Sequence, residues 1–566
     1  MKIIDTRLER QFLPKDLKIK EWSDIASFFL DLEKREINTQ AELEKWLTDR
    51  SELEAVIEEE MAWRYINTTR DTENKEFIEL FEYFVGKIEP EIQKHSNILD
   101  KKLFSTEIFQ QAGDEFLIIK RNLDNKLKHF REENIKIFAE LQKEEQEYGA
   151  IASQMLIDYK GKKITLHEAA NYLKSTDREE RKTVYELINK RRLEDSEKLN
   201  TLLDKLIQKR NKVAENTGYK NYRDYKHNEL GRFDYTIDDV LEFHKTIAET
   251  VSPLVDKIHL ERKEKLGVDK LRPYDLDVDQ DGKAPLKPFK TTDELVAKTI
   301  KIFSAIDKDF GDFIYTMHKK SYLDLDARKG KAPGGYNYPL YESNIPFIFT
   351  NATGNLRDVE TMMHEGGHAV HSFLSRHHKY IDFKELPSEV AELASMSMEL
   401  ISMSYWDEFF DSEEDLKRAK LSQIKGVISV LPWVATVDEF QHKLYTEGAK
   451  SHEERNKIWL EVFEKYNSKI IDWSNYEDFK ANAWQKQLHI FEVPFYYIEY
   501  AISQLGAIAV WRNFIENKEK AIKQYKEALS LGYSRPIGEI YKTAGISFSF
   551  KKDYVKELMD FVLEQI

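Results

Sequence analysis

Apolar residues recur at intervals of three and four through most of the chain, and this spacing predicts amphipathic helices. It is plainest in EAVIEEEMAWRYINTTRDTENKEFIELFEYFVGKIEPEI, Glu54 to Ile92. Residues from about 17 to 150 read as one run of helices with charged outer faces. The charge run from Glu144 to Glu147 reads as a solvated helix face.

Three stretches break the pattern. In MLIDYKGKKITLHEAANYL, Ile157-Asp158-Tyr159, a Lys-Gly turn and Lys163-Ile164-Thr165 predict a short hairpin. A helix should follow, with Thr176 and Glu179 as its capping box. A soft boundary near residue 160 divides an N-terminal helical region, 1–160, from a C-terminal region, 161–566. The second break is RPYDLDVDQDGKAPLKPF, residues 272–289. Its DVDQDG segment matches the first half of a calcium loop, but Pro288 occupies loop position 12, where the bidentate Glu belongs. It reads as a surface loop. The third break, RKGKAPGGYNYPLYESNIPFIFTNATG (328–354), holds the β-prone run PFIFTN. A strand beside a candidate catalytic helix offers an edge with which an extended peptide could pair; a purely structural β-ribbon is the competing reading.

Composition sharpens the helical reading. The 566 residues include 13 Pro and 21 Gly, where average usage would give roughly 28 and 40. The formal net charge of -15 disfavours a nucleic-acid partner, since phosphate binding wants a basic surface. The absence of cysteine removes disulfides, thiolate metal sites and a cysteine nucleophile. No window reaches the roughly 18 apolar residues of a membrane span, and the first residues lack a signal-peptide pattern. The expectation is a cytoplasmic protein with no membrane partner; the oligomeric state is open.

The chemistry concentrates in TMMHEGGHAVH, Thr361 to His371. His364-Glu365-Gly366-Gly367-His368 is an H-E-x-x-H sequence. On a helix its histidines share a face one turn apart and can chelate one zinc, while Glu365 can act as general base toward a water on the metal. His371 lies about 10.5 Å along the axis from His364, too far to share that ion. His377 and His378 fall near the helix end and read as surface residues. The third ligand must come from elsewhere. The next helix, LPSEVAELASMSMELISMSYW, carries Glu389, Glu392 and Glu399, and composition does not choose between Glu389 and Glu392. The double glycine reads as clearance for a helix or a substrate backbone near the metal.

In HEGGHAVHSF, VAELASMSME and HIFEVPFYYIEYA, in that order, the chain resembles zinc oligopeptidases of the thimet oligopeptidase class, oligoendopeptidase F branch. Looser likeness in DYKGKKITL, DREERKTVYE, NTGYKNYRDY and RKGKAPGGY extends it over roughly residues 155–566. The resemblance implies a mostly α multi-helix bundle in two halves around a deep substrate channel, with a small β-ribbon near the active site. It implies one Zn2+ per chain on His364, His368 and Glu392, with Glu365 as base and Glu399 orienting a ligand histidine. It places the C-terminal catalytic group on His489, Tyr496 and Tyr500, with Tyr497 a near alternative. The implied activity is endopeptidase cleavage of short oligopeptides. Read alone, YYIEY reads first as an aromatic core stripe.

Two other functions are open to the residues themselves. Glu365-x-x-His368 and Glu439-x-x-His442, with Glu392 and Glu399, could supply a di-iron carboxylate bundle. An inactive helical scaffold is the other.

Overall fold

The computed structural model describes residues 1–7, 9–448 and 451–566. Among the described residues the chain is mostly α-helical and carries two small sheets. It divides into two discontinuous units, one formed by 1–128, 287–420 and 503–548, the other by 129–286, 421–502 and 549–566. None of the described helices is long and apolar enough to cross a membrane.

In the first unit the long helical run is interrupted. Helix Gln40–Arg70 opens on Thr39, whose hydroxyl accepts from Glu42 N while Glu42 accepts from Thr39 N. It stops at Asp71, and Asn74 starts a fresh helix by accepting from the amides of Glu76 and Phe77. The apolar spacing runs on across this break, but Asn74 competes for the backbone amides and ends the continuity.

Strands β3 (Leu323–Asp326), β4 (Tyr336–Tyr338) and β5 (Phe347–Ala352) form a sheet in the order β3-β5-β4, parallel on one side of β5 and antiparallel on the other. Phe347 and Phe349 pack with Leu340 onto Ala62 and Ile66 of the long helix. The buried Asp324 gathers Arg70, Arg328 and Lys331, and Lys331 also donates to Thr350 O at 2.6 Å. These bonds pin the glycine-rich loop between β3 and β4 onto the sheet.

The second unit contains the expected hairpin. Strands β1 (Leu156–Tyr159) and β2 (Lys162–Thr165) pair antiparallel around Lys160 and Gly161, both at positive φ, as a two-residue turn requires. The next helix, Arg178–Glu194, departs from expectation at its start. Asp177, not Thr176, is the cap, accepting from the amides of Glu179 and Glu180. A carboxylate beside the first turn outcompetes the threonine hydroxyl one residue earlier. The 272–289 stretch is irregular apart from one short turn of helix at Pro273–Asp275. The Glu144–Glu147 run is only partly a solvated face. Glu144 pairs with Lys209 at 2.8 Å and Glu145 with the buried Arg210 at 3.0 Å.

Candidate metal centre

The H-E-x-x-H sequence lies on one helix, Leu356–Ser375. It begins just past β5 because Gly354 turns the chain at φ +91 and Asn355 caps the helix. The Asp358 carboxylate accepts from the amides of Thr353, Gly354 and Asn355 at 2.8 to 2.9 Å. The sheet then fixes the helix: Asn337 of β4 donates to Glu365 O at 2.9 Å.

The second site helix, Ser388–Ser402, packs along the first. The two glycines face different neighbours. A Cβ on Gly367 would stand 2.6 Å from Ser395 Cα and 2.8 Å from Ala394 O, so this glycine lets the two backbones meet. A Cβ on Gly366 would strike the Phe303 ring at 2.4 Å. Both are thus clearances for packing within the protein. The second helix is held from behind by Ser503 and Tyr541, which donate to Glu389 O at 3.0 and 2.9 Å, and by Tyr525, which donates to Ala394 O at 2.8 Å.

This packing brings three side chains together. His364 Nε2 is 3.4 Å and His368 Nε2 3.9 Å from Glu392 Oε2. One ligand atom from each of His364, His368 and Glu392 lies within 4.8 Å of the others. Metal–ligand bonds of about 2.0–2.2 Å in a tetrahedral site place ligand atoms roughly 3.3–3.5 Å apart, so two imidazoles and one carboxylate at these spacings fit a zinc-sized ion. Glu389 is buried on the same helix, and its carboxylate is not part of the group. Glu399 lies one turn pair further on, 2.7 Å from His364 Nδ1.

Electrostatics separates the titrating groups. Burial lowers the His364 pKa, but the hydrogen bond to Glu399 and the charges of Glu392, Glu399 and Glu365 override it, raising the value to about 9. Burial drives His368 well below its ordinary value, and the neighbouring His364 and His371 add to the effect. Burial first, then the Glu392 and Glu399 charges, push the Glu365 carboxyl up to about 7 against the opposing pull of His364 and Arg357. A buried carboxylate poised near neutrality suits a general base.

The remaining histidines sort themselves. His371 is fully buried, and neither ring nitrogen has a hydrogen-bond partner among the described residues. His377 is exposed as expected. His378 is not a plain surface residue: it is half-buried, with Nε2 2.9 Å from Ser530 O, because the segment ending at Ser530 covers it.

The C-terminal group lies in the second unit. His489 is on a short helix, Leu488–Glu492, and Tyr500 on helix Ile498–Glu516, while Tyr496 and Tyr497 precede that helix. Phe495, at φ +65, breaks the chain after the short helix, so Tyr496 stands just before the second helix, with its ring 5.4 Å from that of Tyr500. The rings nevertheless cluster. Centroids of Tyr497, Tyr500 and Tyr496 lie 4.7, 6.0 and 6.2 Å from that of His489. Burial lowers the His489 pKa to about 4, and Gln487 Nε2 lies 2.7 Å from its Nδ1.

Sequence reasoning missed the residues that hold this segment. The buried Arg210 donates to the carbonyls of Ile490 and Phe491, and the buried Arg232 to Phe495 O and to Glu499. Gln441 accepts from Phe495 N at 3.0 Å. Only their burial marks them, and a single sequence carries no signal of it.

The di-iron arrangement does not form. Among the described residues His442 groups with His244 and Asp438, not with Glu439, which accepts from Lys465 and Tyr466 instead.

The pattern of Peptidase family M3 matches residues 171–560, and that of the Peptidase M3 N-terminal domain matches 14–130. The chain belongs to peptidase family M3. Membership in this metallopeptidase family implies a catalytic metal. The chain is similar to oligopeptidase PepF of Bacillus subtilis (strain 168), 23% identical over 391 residues, 69% of this chain and 57% of that protein. It is also similar to group B oligopeptidase PepB of Streptococcus agalactiae serotype III, 24% identical over 328 residues, 56% of this chain and 52% of that protein. The chain thus spans between half and three-fifths of the length of these relatives. The solved structure titled PZ peptidase A with inhibitor 2 superposes with a TM-score of 0.88 at 26% identity, covering 96% of this chain and 97% of that one.

Proposed function

We propose that this family M3 protein is a zinc-dependent endopeptidase that hydrolyses peptide bonds in short oligopeptides. One observation carries the reading: His364, His368 and Glu392 converge, with the buried Glu365 next to His364 in the sequence. These three residues would hold the zinc. Bound there, the ion would supply Lewis acidity, making water more acidic and polarising a scissile carbonyl.

The rest of the chemistry belongs to the chain. Glu365 takes a proton from the attacking water at its carboxylate and returns it to the leaving amide nitrogen; a pKa near 7 suits both transfers. Glu399 fixes the His364 ring by accepting from Nδ1–H, which leaves Nε2 as the ligand atom. His489, Tyr496, Tyr497 and Tyr500 are the candidates to donate a hydrogen bond to the oxyanion formed as water adds. The edge of β4, tied to the histidine helix through Asn337, offers main-chain groups to an extended peptide. The substrates are free oligopeptides, and the location is the cytoplasm.

Peptide cleavage followed in a quenched-fluorescence oligopeptide library tests the reading. Cleavage at internal bonds, abolished by chelation and restored by zinc, is expected. Cleavage that survives complete metal removal overturns it, and absence of any cleavage favours the inactive scaffold.

A further inference from the structure

A second cluster lies entirely within the other unit. Helix Ile237–Thr250 contributes His244, and helix Glu413–Lys443 contributes Asp438 and His442, one turn apart. His244 Nε2 is 2.8 Å and His442 Nε2 3.3 Å from Asp438 Oδ2. All three are buried, at 1%, 0% and 6% exposure. One ligand atom from each lies within 4.8 Å of the others. The peptidase chemistry uses none of them.

The hydrogen bonding of this cluster does not close. Asp438 Oδ1, His244 Nδ1 and His442 Nδ1 are all buried without a hydrogen-bond partner among the described residues. A buried carboxylate with one orphaned oxygen, flanked by two half-satisfied imidazoles, is expensive to retain unless something compensates it. Two of the three orphans, Asp438 Oδ1 and His244 Nδ1, have a use if a cation sits between the Nε2 atoms. Asp438 can then bind through both oxygens, giving four donor atoms from three side chains. The outward Nδ1 of His244 then carries its proton toward Glu439 Oε2, 4.0 Å away, a carboxylate held by Lys465 and Tyr466. Zinc-ligating histidines commonly turn their second nitrogen to a carboxylate, and His364 does so toward Glu399.

We propose that His244, Asp438 and His442 form a second divalent transition-metal site, taking zinc and bracing the two helices that carry them. The i, i+4 spacing of Asp438 and His442 supplies a chelating face, and two imidazoles with a carboxylate favour zinc over calcium or magnesium. The burial of all three ligands and the bidentate carboxylate leave no open position for substrate, so the role is structural.

Metal counting on the full-length protein tests this. The protein is loaded with zinc, stripped of loose metal over a chelating resin and analysed by plasma mass spectrometry. Two equivalents per chain are expected. The double substitution His364→Ala/His368→Ala, which leaves the second cluster intact, should keep one. X-ray absorption at the zinc edge of that variant should show two imidazoles and carboxylate oxygen. His442→Gln and Asp438→Asn should each fall from two equivalents to one while keeping zinc-dependent peptide cleavage. If His442→Gln and Asp438→Asn do not fold, the double-alanine variant decides alone. One equivalent in the wild type and none in the double-alanine variant would overturn the proposal. So would two equivalents that survive folded His442→Gln and Asp438→Asn. The cluster would then be a proton-bridged carboxylate between two histidines.

Discussion

The Glu399 carboxylate stands 2.7 Å from Nδ1 of His364, while Nε2 of the same ring stands 3.4 Å from Glu392. Two glutamates seven residues apart on one helix thus grip opposite edges of one imidazole. One pairs with Nδ1, and the other completes the group of side chains that could hold a metal. Glu399→Ala should lower zinc affinity by about 10–100-fold, with cleavage recovered at high zinc. Competition against a fluorescent chelator checks this. An unchanged zinc affinity would remove Glu399 from the site.

Glu365→Gln should keep zinc and lose turnover. The carboxylate adjoins His364 in the sequence but contributes no ligand atom to the group. Loss of a general base typically costs about 10²–10⁴ in rate. Metal analysis beside single-turnover kinetics separates the two effects; wild-type kcat in a zinc-loaded variant would refute the assignment.

Glu392→Ala and Glu389→Ala should part company. Both carboxylates are buried on the same helix, but only Glu392 meets the histidines. Glu392→Ala should empty the catalytic site after dialysis, whereas Glu389→Ala should retain its zinc. The reverse result would move the third ligand.

Gly367→Ala should be worse than Gly366→Ala. The first sets a methyl against the backbone of Ser395 and Ala394, which cannot yield without moving Glu392. The second meets the far end of a side chain, the Phe303 ring, rather than backbone. Overpacking of this kind costs about 1–3 kcal/mol, so Gly367→Ala should lose both stability and zinc affinity in one variant. Urea midpoints and zinc titrations read the two losses.

His371 should make the fold acid-sensitive. Burial lowers its pKa from 6.5 to about 3. Below 6.5 the unfolded chain takes up a proton that the folded protein refuses. Stability from this group is therefore complete above 6.5 and drains away as pH falls toward 3. The slope is about 1.4 kcal/mol per pH unit at most. His371→Leu should flatten that slope. Urea midpoints at pH 7.5 and 5.5, compared between variant and wild type, isolate the contribution; equal pH dependence would show that His371 protonates normally.

Local chemistry along the chain was legible where it rests on short-range spacing. The hairpin at Lys160-Gly161 follows from a turn pair between two β-prone runs, and the His364 and His368 pairing follows from helical pitch. Caps were less legible. Thr176 and Asp177 are adjacent, and which one closes the helix depends on backbone geometry that the pattern does not encode. The helix break at Asp71–Asn74 was hidden because the apolar period persists across it.

The sequence by itself determined the helical class, the absence of thiol chemistry and the placing of His364, Glu365 and His368 along one helical turn, because each depends on residue type or on contacts within one helical turn. Only the tertiary structure decided the rest. It set Glu392, and not Glu389, in the group with His364 and His368, since helix rotation at the Gly367 contact sets which carboxylate faces the histidines. Of the two readings of the glycines, it favoured packing within the protein, Gly367 against Ser395 and Ala394 and Gly366 against Phe303. It moved His442 out of a pairing with Glu365 and His368 and set it beside His244, 198 positions earlier in the chain. Such neighbours are fixed by the burial of whole helix faces, and a face chooses its partner through shape and volume summed over many residues.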